Sequence, residues 1–350
     1  YMKKIKVAIV GLGNCASSLV QGIEFYKNTN NKTGLINEII GDYKVSDIEI
    51  VAVFDVDKRK VGKDISEAIF SEPNCTKKFS DVPHKNIIVS KGHVLDGVSA
   101  SMKDYFIVDD NQQNSDVVEI LKNSGAEIVI CYLPVGSSKA ARFYAECALE
   151  ASAGFINAIP EFICSNKGWI NKFKEKGLPC AGDDVKSQVG ATILHRVITR
   201  LIQDRGFKIN NTYQLNIGGN TDFRNMLDEG RLESKRISKT QAVISNLDEG
   251  DSISTRIGPS DFVSHLKDNK VCYINVKGTQ FGDVPFELDL KLSVEDSPNS
   301  AGCIVDVIRY MKVALEKGIS GSLEEVSAYY FKSPVIQMRE EVAKSKLNSL

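Results

Sequence analysis

KIKVAIVGLGNCA, residues 4–16, runs from a stretch of β-branched residues straight into a glycine turn. An apolar run ending in G-x-G-x-x-A reads as a strand, a tight turn and the first residues of a helix. Gly11 permits the turn and Gly13 lets a bound pyrophosphate approach the backbone. Asn14 and Cys15 lead into the helix, and Ala16 replaces the usual third glycine where helix and strand touch. Unpaired N–H groups and the macrodipole at that helix start favour an anion. Asp55 ends the next apolar run, IEIVAVFDV (48–56), where a carboxylate accepts hydrogen bonds from an adenosine ribose. It would repel a 2′-phosphate and so favours NAD over NADP, although Lys58 and Arg59 follow closely and weaken that exclusion. The interval from Gly13 to Asp55 exceeds the usual twenty or so residues. The polar segment 28–47 accounts for the excess as an insertion. A glycine turn with no ligand is the plain alternative; strand, helix and strand-end acid together favour a nucleotide.

Outward from this unit the first 185 residues keep the same rhythm. Apolar runs at 4–10, 48–56, 86–90, 127–133, 154–159 and 178–182 alternate with helical patterns near 14–27, 58–70, 115–124, 137–152 and 166–176. Runs this uniformly apolar are covered on both faces, as in a Rossmann-like, doubly wound α/β fold with a parallel sheet. After residue 188 the pattern changes. A long helix (189–205) carries Ile193, Val197, Ile198, Leu201 and Ile202. Three strands follow at 210–219, 270–279 and 285–296, with period-2 apolar sets such as Tyr213, Leu215 and Ile217. They predict an antiparallel or mixed sheet with one solvated or interfacial face. A final amphipathic helix (300–317) carries Ile304, Val307, Ile308, Met311 and Leu315. The expected division is a dinucleotide domain from 1–187 and 297–350, closed by a returning C-terminal helix, and a second α+β domain at 188–296 for catalysis and oligomerisation.

Composition is that of an ordinary soluble protein: 42% hydrophobic and 25% charged residues, with a formal net charge of −1. No global basic field exists for nucleic acid or a membrane surface, so cationic character must be local. Eight scattered cysteines form no C-x-x-C pair, which fits reduced thiols and a cytoplasmic setting better than a zinc ribbon or disulfide scaffold. No stretch approaches the 18 or so apolar residues of a membrane helix. His195 and His265 lack partners at catalytic spacing, and His195 on an amphipathic helix reads as structural.

Local cationic character is concentrated in polar words of the second half: GDDVKSQ (182–188), GGNTD (218–222), RLESKRISKTQ (231–241), Lys270 and FKSP (331–334). If 231–241 is helical, Arg231, Lys235 and Lys239 share one face, with Glu229 and Glu233 opposite. Like charges at i,i+4 repel by roughly 0.2–0.5 kcal/mol per pair, so the stripe suits an anion; a solvated, salt-screened helix face is the bland alternative. In GDDVKSQVGAT (182–192) a strand end with two acids feeds a helix start. Ser187, Gln188, Gly190 and Thr192 could donate to a phosphate, or Asp184 or Ser187 could simply cap the helix. DSPNSAG (296–302) allows the same two readings.

Taken in order and spacing, these words resemble the myo-inositol-1-phosphate synthase family, in its shorter bacterial and archaeal form. The resemblance runs from GLGNCASSLVQG (11–22) through FDVD (54–57), YLPVGS (132–137), GDDVKSQVGAT, GGNTDF and ESKRISKTQAV (233–243) to DSPNSAG and KSP (332–334). The glycine-richer loop and the extensions of the eukaryotic form are missing.

The resemblance implies isomerisation of glucose 6-phosphate to inositol phosphate with NAD regenerated. C5 is oxidised, a C6 proton is lost, the enolate closes on the C1 aldehyde, and the inosose is reduced. Developing oxyanions beside a phosphate dianion account for the lysines, since preorganised cations at such oxygens are the largest catalytic term available. It further implies Lys235, Lys239, Lys270 and Lys332 as active-site lysines. Lys235 and Lys270 would lie near carbonyl oxygens, with Lys235 moving a proton at the oxidation step. Lys332, paired with Asp183, would stabilise oxyanions, and Asp222 would orient the lysine network. Lys239, Ser187 and Gln188, beside Gly190 and Thr192, would hold the phosphate. Asp184, Asp296 and Ser297 would border the cofactor, with Asp296 near the nicotinamide. A divalent cation, with no readable ligand set, and a homotetramer complete the expectation. Two other readings stay open: a sugar-phosphate dehydrogenase with net NADH formation, and a non-catalytic NAD sensor whose lysine stripe takes a regulatory anion.

Overall fold

The computed structural model describes residues 4–227 and 254–347. The anticipated helix at 231–241, with Lys235 and Lys239, lies outside the described residues. A seven-stranded parallel sheet is built from β1 (Ile5–Val10), β2 (Ile48–Asp55), β3 (Ser90–Lys91), β4 (Ile128–Cys131), β5 (Gly154–Asn157), β6 (Pro179–Gly182) and, from near the C-terminus, β11 (Gly321–Ser322). Its order is β11-β6-β5-β4-β1-β2-β3. Strand order reverses at β1, which pairs with β2 on one side and β4 on the other. That switch point opens a crevice at the carboxyl ends of the strands, the usual ligand position in such sheets. Helices α1 (Asn14–Lys27), α2 (Ile65–Ala68), α3 (Val117–Ser124), α4 (Ser138–Glu150) and α5 (Lys167–Glu175) make the crossovers.

Alternate residues of β1 feed two cores: Val7 and Ile9 pack on one face, Ala8 and Val10 on the other. Each such large side chain, fully buried, contributes roughly 1.5–3 kcal/mol. The long helix α8 (Asp296–Glu316) packs along α1 and adds Ile304, Val307, Ile308 and Met311 to the first core. It starts directly after a strand, four residues earlier than its apolar periodicity suggests, so the DSPNSAG word is its first turns and not a loop.

A second sheet, of order β10-β9-β7-β8, is formed by β7 (Lys208–Gly218), β8 (Ser254–Phe262), β9 (Asn269–Thr279) and β10 (Pro285–Glu295). It is mixed: β9 runs antiparallel to β7 and β10, while β8 is parallel to β7. Strand β8 is not among the expected elements, because Gly258-Pro259 argues against a strand; as the outermost strand it tolerates a missing donor. Helix α6 (Ala191–Asp204) covers this sheet and α7 (Thr221–Asn225) follows β7; α9 (Glu324–Tyr330) and α10 (Glu340–Leu347) come last.

Three expectations change. The 86–90 run leaves only Ser90–Lys91 in the sheet, because Val89 and Ile87 bond back to residues 62–65. The 58–70 helix shrinks to Ile65–Ala68, since Gly62 has φ +83° and the Asp64 side chain starts the helix afresh by accepting from Ser66 N. Finally, the apolar stripe of α6 is only partly its buried face: Ile198 and Ile202 join the sheet core, but Val197 and Leu201 are 48% and 57% exposed, while His195, Arg196 and Thr199 are enclosed. Those polar groups are tolerated because they are paired. His195 lies between Gln214 Oε1 (3.2 Å) and Thr212 Oγ1 (2.7 Å), and Arg196 lies 2.9 Å from Glu340 Oε1. Among the described residues no helix is long and apolar enough to cross a membrane.

Candidate active site

The glycine turn is held from both sides. Gly11, with φ +88°, donates to Phe54 O, and a Cβ on it would sit 2.8 Å from Tyr132 O, so no other residue fits without strain. Between the glycines, Leu12 N donates to Asp55 Oδ2 (2.8 Å), while Leu12 O accepts from Lys60 Nζ (2.7 Å) and Asn74 Nδ2 (3.0 Å). Gly13 precedes α1 and no side chain caps that helix start. A Cβ built on Gly13 meets nothing within 4 Å, because the space above it is the cavity. Ala16 is fully buried in the core. Asn14 turns its side-chain oxygen to Cys75 N (2.7 Å) and Thr76 N (3.0 Å), fastening the 72–80 segment over α1. The Cys15 thiol, pushed up to about 12 by burial, lies 3.9 Å from Ser297 Oγ.

Asp55 Oδ1 accepts from Val56 N (2.7 Å) and Asp57 N (2.9 Å) in addition to the Leu12 bond. With about four acceptor positions on a carboxylate, capacity remains for a ribose hydroxyl. Arg59 is turned away by a two-pronged grip on Asp57 and a bond to Tyr105 O, and Lys58 is exposed; neither lines the cavity. Open space over Gly13, an uncapped helix start and an acceptor at Asp55 fit a dinucleotide with an unmodified ribose.

The same cavity is lined by two lysine–aspartate pairs. Lys270 Nζ lies 3.0 Å from Asp296 Oδ1, and Lys332 Nζ donates to Asp184 Oδ1 (2.7 Å) and Val185 O (2.9 Å). Asp222 lines the cavity too, on α7, whose start is capped by Asn220. Ser187, Gly190 and Thr192 contribute from the start of α6, which no side chain caps. Gln214 and Asn216 of β7 form part of the wall.

Two expectations are corrected here. Lys332 is paired with Asp184, not with Asp183. The Asp183 carboxylate turns into the 157–165 loop and accepts from Asn157, Ile163 N, Cys164 N and both the N–H and hydroxyl of Ser165. Fully buried, it is pushed up to about 6 by desolvation against those bonds, and it does not line the cavity. Gln188 likewise points elsewhere: its amide donates to Gly34 O (2.7 Å) in the 28–47 insertion. Lys186 is also spent, on Ala328 O and Glu340, its pKa lowered to about 8 by burial.

The sequence reading missed Asp268. Its carboxylate accepts from Asn220 Nδ2 (3.1 Å), Ser297 N (3.1 Å) and Ser297 Oγ (2.8 Å), and its carbonyl accepts from Asp296 N (3.0 Å). It is pushed up to about 6 by burial and then by Asp296. One buried acid thus joins the starts of α7, α8 and β9, which carry Asp222, Asp296 and Lys270. Its position two residues before Lys270 was the available clue. Among the described residues no group of three or more His, Cys, Asp or Glu side chains is placed to hold a metal ion.

The family model described as Myo-inositol-1-phosphate synthase matches residues 190–297. Inositol-3-phosphate synthase from Mycolicibacterium smegmatis is 50% identical over 99% of this chain and 97% of its own. The enzyme of that name from Corynebacterium glutamicum is 48% identical over 99% and 97%. Among solved structures, a myo-inositol-1-phosphate synthase-related protein from Thermotoga maritima superposes with a TM-score of 0.81 at 25% identity, covering 99% of this chain and 98% of that one. With half of its residues shared across nearly the full length of such relatives, the chain belongs to the myo-inositol-1-phosphate synthase family.

Proposed function

We propose that this protein isomerises D-glucose 6-phosphate to 1L-myo-inositol 1-phosphate by internal oxidation, enolisation, aldol cyclisation and reduction, with NAD returned to its starting state. The observation that carries this is the meeting, in one cavity, of the glycine turn with the Lys270–Asp296 and Lys332–Asp184 pairs. A dehydrogenase needs one proton acceptor near the carbon it oxidises; cations fixed at several points suit a sequence of oxyanions.

When bound, the dinucleotide would supply the hydride acceptor and donor. Gly11, Gly13, Asn14, Cys15, Ala16 and Asp55 would form its seat, with Asp184, Asp296 and Ser297 at its reactive end. Lys270 would stabilise carbonyl and enolate oxygens, held in aim by Asp296. Lys332 would serve the same charges with Asp184 in the role first given to Asp183. Asp222 would orient the lysines, and Lys235 would move the proton at the oxidation step. Lys239 with Ser187, Gly190 and Thr192 would hold the phosphate, where the uncapped start of α6 favours an anion. We also propose the domain division at 187/188 and 296/297, a homotetramer and a cytoplasmic setting.

The test is stoichiometric. With glucose 6-phosphate and sub-stoichiometric NAD, phosphorus NMR should show inositol phosphate exceeding the NAD supplied, with no net absorbance of NADH. NADH accumulating in step with substrate loss would establish a net dehydrogenase instead.

A further inference from the structure

Asn299, in the first turn of α8, closes on the loop that leads into α6. Its Oδ1 accepts from Val189 N (3.0 Å), and its Nδ2 donates to Val189 O (2.7 Å). Its carbonyl accepts from Gln188 N (3.1 Å). One side-chain amide thus takes both backbone groups of Val189, as a neighbouring strand would. Gly302, three residues on along the same helix face, makes room for Gln188: a Cβ there would sit 2.3 Å from its side chain. Packing adds little to this hold, because Val189 is 52% exposed. No side chain caps α6, which starts just beyond Gly190.

The fastened loop and Lys270 border one cavity. Ser187, Gly190 and Thr192 line it on either side of the fastened residues. Asp296, which holds Lys270 at 3.0 Å, lines it one helical turn before Asn299. A single turn of α8 therefore connects the loop to the Lys270 ammonium. Such a turn is stiff, since backbone hydrogen bonds run along the helix. The grip on Val189 thus fixes how far the donors of the loop stand from the lysine. A phosphorylated sugar held at that loop would present its reacting carbons to Lys270 at a distance set by this grip.

We propose that Asn299 is a positioning residue for the isomerisation, holding the phosphate-binding loop in register with Lys270. This rests on the function proposed above and adds a residue that does not itself line the cavity. The experiment compares the native protein with Asn299→Ala, Asn299→Asp and Asn299→Gln. It reads kcat and KM with glucose 6-phosphate, the NAD Kd by calorimetry, and the urea midpoint. Alanine is the better helix former, so Asn299→Ala leaves α8 itself intact. A misplacement of about 1 Å can cost a hundredfold, so kcat should fall by roughly that factor in Asn299→Ala. The NAD Kd and the urea midpoint should stay native. Asn299→Asp keeps the acceptor but loses the donor and should be as slow. Asn299→Gln carries the same amide one methylene further and should recover part of kcat; no recovery would deny the amide its role. A native kcat in Asn299→Ala would overturn the proposal. So would a raised KM at native kcat, which marks uniform binding. A lowered urea midpoint, or NAD binding weakened in step with kcat, marks a structural role and would overturn it too. Should Asn299→Ala fail to fold, Asn299→Asp decides, since an acid in the first turn suits the helix dipole. NADH formed by the native protein in step with substrate loss would refute the isomerisation alone, and the same fall of kcat would still support the positioning role. A native protein inert towards glucose 6-phosphate refutes both.

Discussion

Lys332 donates to Asp184 at 2.7 Å, while the adjacent carboxylate of Asp183 is turned into the 157–165 loop with five hydrogen bonds of its own. Two neighbouring acids at one strand end are thus divided between the cavity and the scaffold. Lys332→Met should lower kcat at least about a hundredfold, the usual cost of removing one preorganised oxyanion donor, with NAD affinity retained. Asp183→Ala should instead strip the loop of its acceptor and destabilise the fold by roughly 3 kcal/mol. Urea titration separates the two: a lowered midpoint belongs to Asp183, and a catalytic loss at native midpoint belongs to Lys332.

The two glycines of the turn should fail differently when replaced. Gly11→Ala forces a side chain into positive φ and against Tyr132 O, so stability should drop by about 1–3 kcal/mol. Gly13→Val projects its side chain into open cavity and meets no protein atom at Cβ. That variant should melt like the native protein and lose NAD binding. Normal NAD affinity in Gly13→Val would remove the glycine turn from the cofactor site.

The contrast shows what was legible beforehand. KIKVAIVGLGNCA and Asp55 could be read because their roles are local, set by a turn, a helix start and a strand end that one sequence window contains. Pairings could not be read, since Lys332 and Asp184 are 148 residues apart and only the fold decides which of two adjacent acids faces the lysine. Binary patterning misled for a related reason. In β7 the buried side is Thr212, Gln214 and Asn216, while Tyr213 is exposed. A cavity wall and a histidine network require polar residues inside, so the rule that apolar means inward inverts there. Lys60, which grips Leu12 O from beneath the turn, carries no sequence mark at all.

His195 gives a pH prediction. Burial lowers its pKa to about 4 from an ordinary 6.5, so the folded state keeps it neutral where the unfolded chain would take a proton. Its contribution is complete above about pH 6.5 and is lost as pH falls towards 4, by roughly 3 kcal/mol in total. Asp183 and Asp268, both raised to about 6, act in the opposite sense: they favour the fold below their unfolded value and lose that contribution as pH rises through 6. The informative quantity is therefore the difference between native protein and His195→Gln. That difference should shrink steadily between pH 6.5 and 4 in urea titrations, and a constant gap would mean that His195 titrates normally.

Asp268 offers the most discriminating substitution, because it does not itself line the cavity yet holds three residues that do, Asn220, Asp296 and Ser297. Asp268→Asn keeps the shape and can still accept from one partner, but its amide presents a donor to Ser297 or Asn220, which already donate there. The start of α8 should shift, and with it Asp296 and the ammonium of Lys270. Misplacement of a catalytic group by about 1 Å can cost a hundredfold, so kcat should fall by roughly that factor. Because the seat at Gly11–Ala16 and Asp55 is untouched, ADP affinity should stay native. Rescue distinguishes positioning from chemistry: Asp268→Glu, which restores an acceptor at slightly altered reach, should recover part of kcat. If Asp268→Asn and Asp268→Glu are equally inactive while both remain folded, Asp268 acts on the substrate directly and the positioning role is wrong.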